Sequence, residues 1–107
     1  MSDAPEKRDP AAERAKALAL LEANHEFPTA YSVSVIAISG DEVAERIAIA
    51  AFDERSSPKR TEGDHTHKPS SGGKYVSHRL IVQVENAEHV LELYARLRAI
   101  DGVMTIL

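Results

Sequence analysis

The stretch Lys74-Tyr75-Val76-Ser77-His78-Arg79-Leu80-Ile81-Val82-Gln83-Val84-Glu85 decides the fold. Its side chains alternate with a period of two, which is the pattern of a β-strand with one buried face. One face consists of Val76, His78, Leu80, Val82 and Val84. The other consists of Tyr75, Ser77, Arg79, Ile81 and Gln83. We therefore predict a long strand here and interpret the neighbouring segments around it.

The segments on both sides of this strand continue the pattern. Ser70-Ser71-Gly72-Gly73 predicts a turn, and the polar stretch before it predicts a short edge strand from about Thr61 to Lys68. After the strand, Asn86 is expected to cap a helix, and Gly102 suits its C-terminal cap. The helix carries an apolar stripe of Val90, Leu93, Tyr94, Leu97 and Ile100. Residues 103–107 predict a last short strand.

The first half of the chain predicts two helices and one strand. Residues 31–39 alternate like the central strand, with Tyr31, Val33 and Val35 on the buried face. Ser39 and Glu42 have the spacing of a capping box, which predicts a helix over residues 41–54. Asp9 and Pro10 suit the start of a helix over residues 10–23. We expect residues 1–26 to form a flexible N-terminus and an accessory helix, and residues 27–107 to form the domain.

The order of the predicted elements is an accessory helix followed by β-α-β-β-α-β. This order is typical of an α+β, ferredoxin-like two-layer sandwich, in which two helices cover one face of a four-stranded antiparallel sheet. The other face would carry a set of aliphatic side chains that we predict to be an interface: Ile36, Ile38, Ile81, Met104 and Ile106. Three interpretations stay open for them: scattered surface residues, a face covered by the N-terminal helix, or a face covered by a second subunit.

Length and composition exclude several classes of function. The chain has 107 residues, a formal net charge of −4 and no cysteine, so thiolate metal sites, disulfides and a cysteine nucleophile are excluded. No apolar run approaches the length of a membrane span, and no secretory signal is recognisable at the start, so we expect a cytoplasmic protein with no membrane contact.

Residues 54–79 are locally basic, with a net charge of +3. This segment is either a solvated loop and hairpin or a site for a small anion or acidic partner; nucleic acid is not expected.

Three histidines are the candidates for metal binding. His65 and His67 lie two residues apart, so both would face the same way on a strand. If Ser71 to Gly73 form the turn, His67 lies near Tyr75, and His78 falls on the opposite face of the sheet. The pair then lacks a third ligand, so His65 and His67 are weak candidates and we predict no metal and no cofactor. The isolated His89 is expected to be a solvated or capping side chain.

Two short segments are candidates for binding a ligand. Ser39, Gly40 and Asp41 precede a helix whose first-turn amides have no intrahelical partner. Ser70, Ser71 and Lys74 resemble a phosphate loop in composition, but they join two strands, which favours a turn whose hydroxyls bond their own backbone. Ser71 or Ser77 beside His67 is the one pairing that could form a serine nucleophile with a base. No acid accompanies it to orient the histidine, so we do not expect an enzyme.

Several segments in order resemble a known bacterial family. They are Phe27-Pro28-Thr29, residues 68–77, Leu93-Tyr94 and residues 102–107. Together they resemble the YbeD-like family, the domain of unknown function 493. The resemblance implies a ferredoxin-like fold similar to regulatory ACT domains, and no established enzyme activity.

These observations leave two functional hypotheses. The first is a non-catalytic regulatory module of ACT-like kind that binds a small molecule, with its ligand at a subunit interface or against residues 39–42. The alternative is a protein-interaction adaptor that uses the open sheet face or the edge of the last strand without a ligand. A homodimer is expected in either case.

Overall fold

The computed structural model describes residues 9–54 and 62–107. Three α-helices and four strands follow one another along the chain. They are α1 Pro10–Asn24, β1 Thr29–Ile38, α2 Asp41–Ala51, β2 His65–Pro69, β3 Tyr75–Val84, α3 Ala87–Arg98 and β4 Val103–Ile106, with a single 3-10 turn at Glu62–Asp64 before β2. The order confirms the predicted accessory helix followed by β-α-β-β-α-β.

The four strands form one antiparallel sheet in the order β2-β3-β1-β4. The predicted central strand, β3, pairs along its whole length with β1, from Tyr75 opposite Ile38 to Val84 opposite Thr29. The other side of β3 pairs with β2, and β4 pairs with β1. This is the ferredoxin-like arrangement expected from the alternation of residues 74–85.

The core lies between one face of the sheet and the helices α2 and α3. Val33, Val35 and Ala37 of β1 are buried there with the alternate residues of β3. Each helix buries the apolar stripe that its sequence predicts. From α2 these are Val43, Ile47 and Ala51, and from α3 they include Val90, Leu93 and Leu97.

The start of α2 differs from the predicted capping box. The N-cap is Gly40, with φ +145°, and no side chain caps the helix. Ser39 does not cap it because its hydroxyl donates to the Gly73 carbonyl in the β2–β3 loop. The helix ends at Ala51 rather than at residue 54, with the buried Phe52 as its C-cap.

Two other boundaries also differ from expectation. β2 begins at His65, after the 3-10 turn, so the expected start at Thr61 falls outside the described residues. α3 ends at Arg98 with Ala99 as C-cap, and Gly102 lies three residues further on, in the turn before β4. Gly102 has φ +97°, which an L side chain rarely adopts.

Helix α1 packs in the helical layer. Its start matches the prediction, because Asp9 caps it by accepting from the Ala11 amide at 3.0 Å. Arg14 reaches Glu88 of α3 at 3.1 Å, and Leu21 packs against the core, although no α1 residue is fully buried. The interpretation that this helix covers the other face of the sheet is therefore wrong.

The face of the sheet away from the helices, here called the open face, is less apolar than predicted. Ile106 does not belong to it, because Ile106 pairs with Val35 and packs against the core. The strand register slips between Ile36 and Ala37, so alternation along β4 does not run as expected. Met104 is 58% exposed and Ile38 is 41% exposed, while Ile36 and Ile81 are half-buried.

Candidate functional site

The β2–β3 hairpin brings three histidines together on the core face of the sheet. His67 lies directly opposite His78, and His65 lies opposite Leu80. The expectation that His78 lies on the opposite face from the pair is therefore wrong. The cause is the length of the connection: Ser70 donates its amide to the Tyr75 carbonyl at 2.8 Å and so pairs with Tyr75, which leaves four connecting residues, 71–74, rather than the three residues 71–73.

His78 is the buried member of this cluster, with only 3% of its surface exposed. Its Nδ1 is 2.9 Å from Nε2 of His65, so one nitrogen donates a hydrogen bond to the other. Burial, and secondly the charge of His67, lower the pKa of His78 below its ordinary value of 6.5. His78 is therefore neutral at pH 7. Within the described part of the chain its Nε2 has no hydrogen-bond partner.

A cleft of about 270 Å³ lies beside this histidine. We call it the β1–α2 cleft, because the connection from β1 into α2 forms one wall and the hairpin forms the other. The residues that line it are Gly40, Asp41, Ala44, His67, Pro69, Val76 and His78. His67 is exposed at its mouth, whereas His78 is buried at its wall.

The N-terminus of α2 opens on this cleft. A helix leaves its first amides without intrahelical partners, and no side chain of the N-cap satisfies them here. Asp41 occupies the first helical position and lines the cleft as well. The site therefore combines backbone donors, one carboxylate and a buried imidazole in a small space.

The structure separates the predicted ligand residues into two groups. Gly40 and Asp41 line the cleft. Ser39 holds the loop through Gly73, and the Ser70 hydroxyl accepts from the Tyr75 amide at 3.2 Å. Ser71 is exposed in the loop, and the Lys74 ammonium lies 5.6 Å from the centre of the Tyr75 ring. The hydrogen bonds of Ser39 and Ser70 stabilise the β2–β3 loop, and a ligand-binding role for this second group stays a prediction.

No metal site is assembled by the described residues. Among residues 9–54 and 62–107, no group of three or more histidines and carboxylates is placed to hold an ion. His65 and His67 share a face as expected, but His65 contacts His78 rather than a shared ion position.

A second polar cluster, which the sequence did not reveal, joins the ends of α2 and α3. Arg96 donates to Asp53 at 2.6 Å, and Nε2 of His89 is 4.0 Å from the same carboxylate. His89 is only 1% exposed, so it is not solvated; its Nδ1 accepts from the Glu85 amide at 3.0 Å, which confirms the capping alternative. Asp53 and Arg96 are far apart in sequence, and no local pattern predicts their contact.

Comparisons with known proteins find relatives over most of the chain. The model of the family described as "Protein of unknown function (DUF493)" matches residues 22–107. A UPF0250 protein of Shewanella amazonensis is 33% identical over 84 residues, covering 77% of this chain and 89% of the relative. A UPF0250 protein of Shewanella sediminis is 36% identical over the same shares of both chains.

One solved structure has a similar fold. The solution structure of protein HP0495 from H. pylori matches with a TM-score of 0.56 and 14% identity, over 100% of this chain and 94% of that one. At this identity the likeness concerns the fold alone. No helix in the described segments is long and apolar enough to cross a bilayer.

Proposed function

We propose that this chain, which belongs to the DUF493 family of proteins of unknown function, is a non-catalytic regulatory module that binds a small ligand in the β1–α2 cleft. The observation that carries the proposal is His78. The imidazole is only 3% exposed and still lines the cleft, where Nε2, the nitrogen that does not contact His65, can form a hydrogen bond with a bound molecule.

The lining indicates the chemistry of the ligand. The first-turn amides of α2 favour an oxygen acceptor, and the exposed His67 and the buried His78 supply further groups for polar contacts. The Asp41 carboxylate favours a donor or a cation on another part of the same molecule. Pro69 and Val76 add a short apolar wall. A polar metabolite with both an acceptor oxygen and a donor group fits this set.

The residues that line the cleft favour a binding role over catalysis. The residues that line the cleft include no hydroxyl, thiol or amine side chain that could act as a nucleophile beside His67 or His78. The position of the cleft supports a regulatory role. It lies between the β1–α2 connection and the β2–β3 hairpin, which the hydrogen bond from Ser39 to Gly73 already joins. A bound ligand would strengthen the contact between these two segments. The ACT-like fold supports the same role only by analogy.

A thermal-shift screen of the full chain tests the proposal. The probes are amino acids, nucleotides, small carboxylic acids and divalent metals, each at several concentrations. A ligand at 100 times its dissociation constant adds about 2.7 kcal/mol of stability. For a domain of this size the melting temperature would then rise by roughly 10 °C or more. A reproducible rise with one class of compound is expected.

Matched variants locate the binding. Ala44→Leu fills the cleft from α2, and Ala95→Leu adds the same volume to an exposed position on α3. We expect the first variant to lose the ligand-induced rise and the second to keep it. A flat screen, or a rise that survives Ala44→Leu, contradicts the proposal.

Location and assembly belong to the same proposal. We place the module in the cytoplasm, and the homodimer expected from the sequence stays a prediction. Light scattering over a range of protein concentrations checks the homodimer directly.

A further inference from the structure

Acidic residues are distributed unevenly between the sheet and the helical layer of this protein. The four strands contain no Asp or Glu at all, although the whole chain has 17 acidic residues. The described acidic residues lie in the helices and in the connections. The strand register places Lys68 and Arg79 on the open face, because each lies next along its strand to a residue of the core face.

Most cations of the helices have ionic partners, whereas the cations of the hairpin do not. Arg14 pairs with Glu88, Arg46 with Glu42 and Arg96 with Asp53, while Lys16 and Arg98 form no ion pair with the described residues. In the hairpin, Lys68, Lys74 and Arg79 form no ion pair with any part of the chain that the structure describes.

These three hairpin cations, here called the cation strip, lie along one face of the β2–β3 hairpin. Lys68 is opposite Ser77 and Arg79 is opposite Thr66, so the two side chains are diagonal neighbours on two adjacent strands. Lys74 brings its ammonium over the ring of Tyr75, at the end of the same face. Unpaired like charges at this spacing repel one another, and an anionic partner would relieve that repulsion.

The residues beside the cation strip suit a polypeptide. Ser34 lies opposite Arg79 and Ile36 lies opposite Ser77, which places hydroxyls and an aliphatic side chain next to the cations. Ile36 and Ile81 are half-buried, so each still offers apolar surface. A mixture of cations, hydroxyls and separated aliphatic groups matches the core and rim of a transient protein interface.

We propose that the open face binds a segment of a partner protein that is rich in Asp and Glu and carries aliphatic side chains between them. Its carboxylates would pair with the cation strip, and its aliphatic groups would contact Ile36 and Ile81. This role goes beyond ligand binding in the β1–α2 cleft and does not depend on it, because the cleft lies on the other face of the sheet.

Single-stranded nucleic acid is the less favoured occupant. Such platforms stack successive bases on several aromatic side chains. In the described strands, Tyr75 is the one aromatic residue of the open face, and the Lys74 ammonium already lies over its ring. A chain with net charge −4 also repels a long polyanion beyond the strip itself.

The test is a titration of the isotope-labelled full chain, followed by amide chemical shifts. The probes are a short synthetic peptide of alternating Glu and Ile residues, the same peptide with Lys in place of Glu, and a short oligothymidylate. We expect the Glu peptide to shift the amides of Ser34, Ser77 and Arg79, and to bind about tenfold more weakly at high salt. The Lys peptide and the oligothymidylate should leave these amides unchanged.

A pair of double variants supplies the control. Lys68→Glu with Arg79→Glu reverses two cations of the open face, while Lys16→Glu with Arg98→Glu reverses two exposed cations of the helices. Both variants have the same net charge and alter only exposed side chains. We expect the first to weaken binding of the Glu peptide about tenfold or more, and the second to change it less than about threefold.

Four results would overturn the proposal. They are equal binding of the Glu and Lys peptides, no shift on the open face with the Glu peptide, tighter binding of the oligothymidylate, and a concentration-dependent dimer that shifts the same amides without any peptide. The last two results would identify nucleic acid or a second copy as the occupant.

Discussion

At the scale of single residues, the β2–β3 register decides what the histidines can do. The observed pairing of His67 with His78 differs by an odd number of positions from the expected one, and an odd shift moves a side chain to the other face of a sheet. His78 therefore joins His65 and His67 on the core face. Its burial there, rather than its sequence neighbours, makes it the central group of the candidate site.

The protonation of His78 predicts a pH dependence of stability. His65, His67 and Asp41 are the titratable groups around it. Because its pKa is lowered in the folded state, the unfolded chain binds more protons once the pH falls below 6.5. The contribution is therefore present above about pH 6.5 and is lost as the pH falls below that value and through the lowered pKa of the folded state. Urea unfolding at several pH values measures it.

His78→Gln isolates this contribution. The variant should show a flatter dependence of unfolding free energy on pH than the unchanged chain. Ser77→Ala, at an exposed and non-titrating position of the same strand, should keep the original slope. Equal slopes in all three proteins would contradict the assignment to His78.

Tyr94 provides a second prediction at this scale. Burial, and then the 3.2 Å contact between its hydroxyl and that of Tyr31, raise the pKa of Tyr94 to about 12. An ultraviolet absorbance titration should therefore show one tyrosine ionising near this value. Tyr94→Phe should remove that phase, Tyr31→Phe should move it to lower pH, and Tyr75→Phe should leave it in place. A titration without a late phase would disagree with the observed contact.

At the scale of elements, the turn between α3 and β4 is constrained by close packing. A Cβ added at Gly102 would lie 2.9 Å from Cγ1 of Ile38 and 3.2 Å from Cγ2 of Val43. The turn thus brings the start of β4 against the end of β1 and the start of α2. Its main chain adds a hydrogen bond of 2.8 Å from the Ile38 amide to the Gly102 carbonyl.

Gly102→Ala is expected to destabilise the protein by about 1–3 kcal/mol, because the positive φ and the short contact both oppose a side chain. Gly72→Ala is the matched control, since its added Cβ would meet nothing within 4 Å. That variant should change stability by less than about 0.5 kcal/mol. Urea unfolding compares the two, and equal losses would contradict the role of the α3–β4 turn.

At the scale of the whole molecule, the protein is a β-α-β-β-α-β domain with one helix added to its helical layer. The core draws its buried residues from the sheet, α2 and α3. Leu21 is the α1 residue that packs against this core, and it is half-buried. The boundary between residues 26 and 27 stays a prediction, with α1 expected to add stability to a folding unit of residues 27–107.

A fragment of residues 27–107 is expected to fold alone. Loss of the Leu21 contact should cost about 1–2 kcal/mol. The melting temperature should fall by roughly 5–15 °C. Circular dichroism measures the melting temperature, and the dispersion of amide resonances shows whether the fragment is folded. In the full chain, Leu21→Ala should reproduce much of the loss, whereas Leu20→Ala, at a position 58% exposed, should not. An unfolded fragment would show that α1 is part of the folding unit.

The sequence by itself determined the elements, their order and the faces that β1 and β3 bury. Periods of two and of 3.6 residues are local properties, so residues 75–84 and the stripe of α3 could be read directly. The YbeD-like resemblance, carried by motifs such as Phe27-Pro28 and Leu93-Tyr94, predicted the family that the comparisons then showed.

Only the tertiary structure decided the contents of the site and the charge of the open face. The four-residue connection 71–74 sets the register of the histidines, and the slip beside Ile36 sets the side on which Ile106 lies. The contact of Arg96 with Asp53 and the unpaired state of Lys68 and Arg79 depend on which segments meet in space. These tertiary contacts form only when the whole core packs. A local pattern specifies the face on which a side chain lies, but it does not specify the neighbour of that side chain on another element.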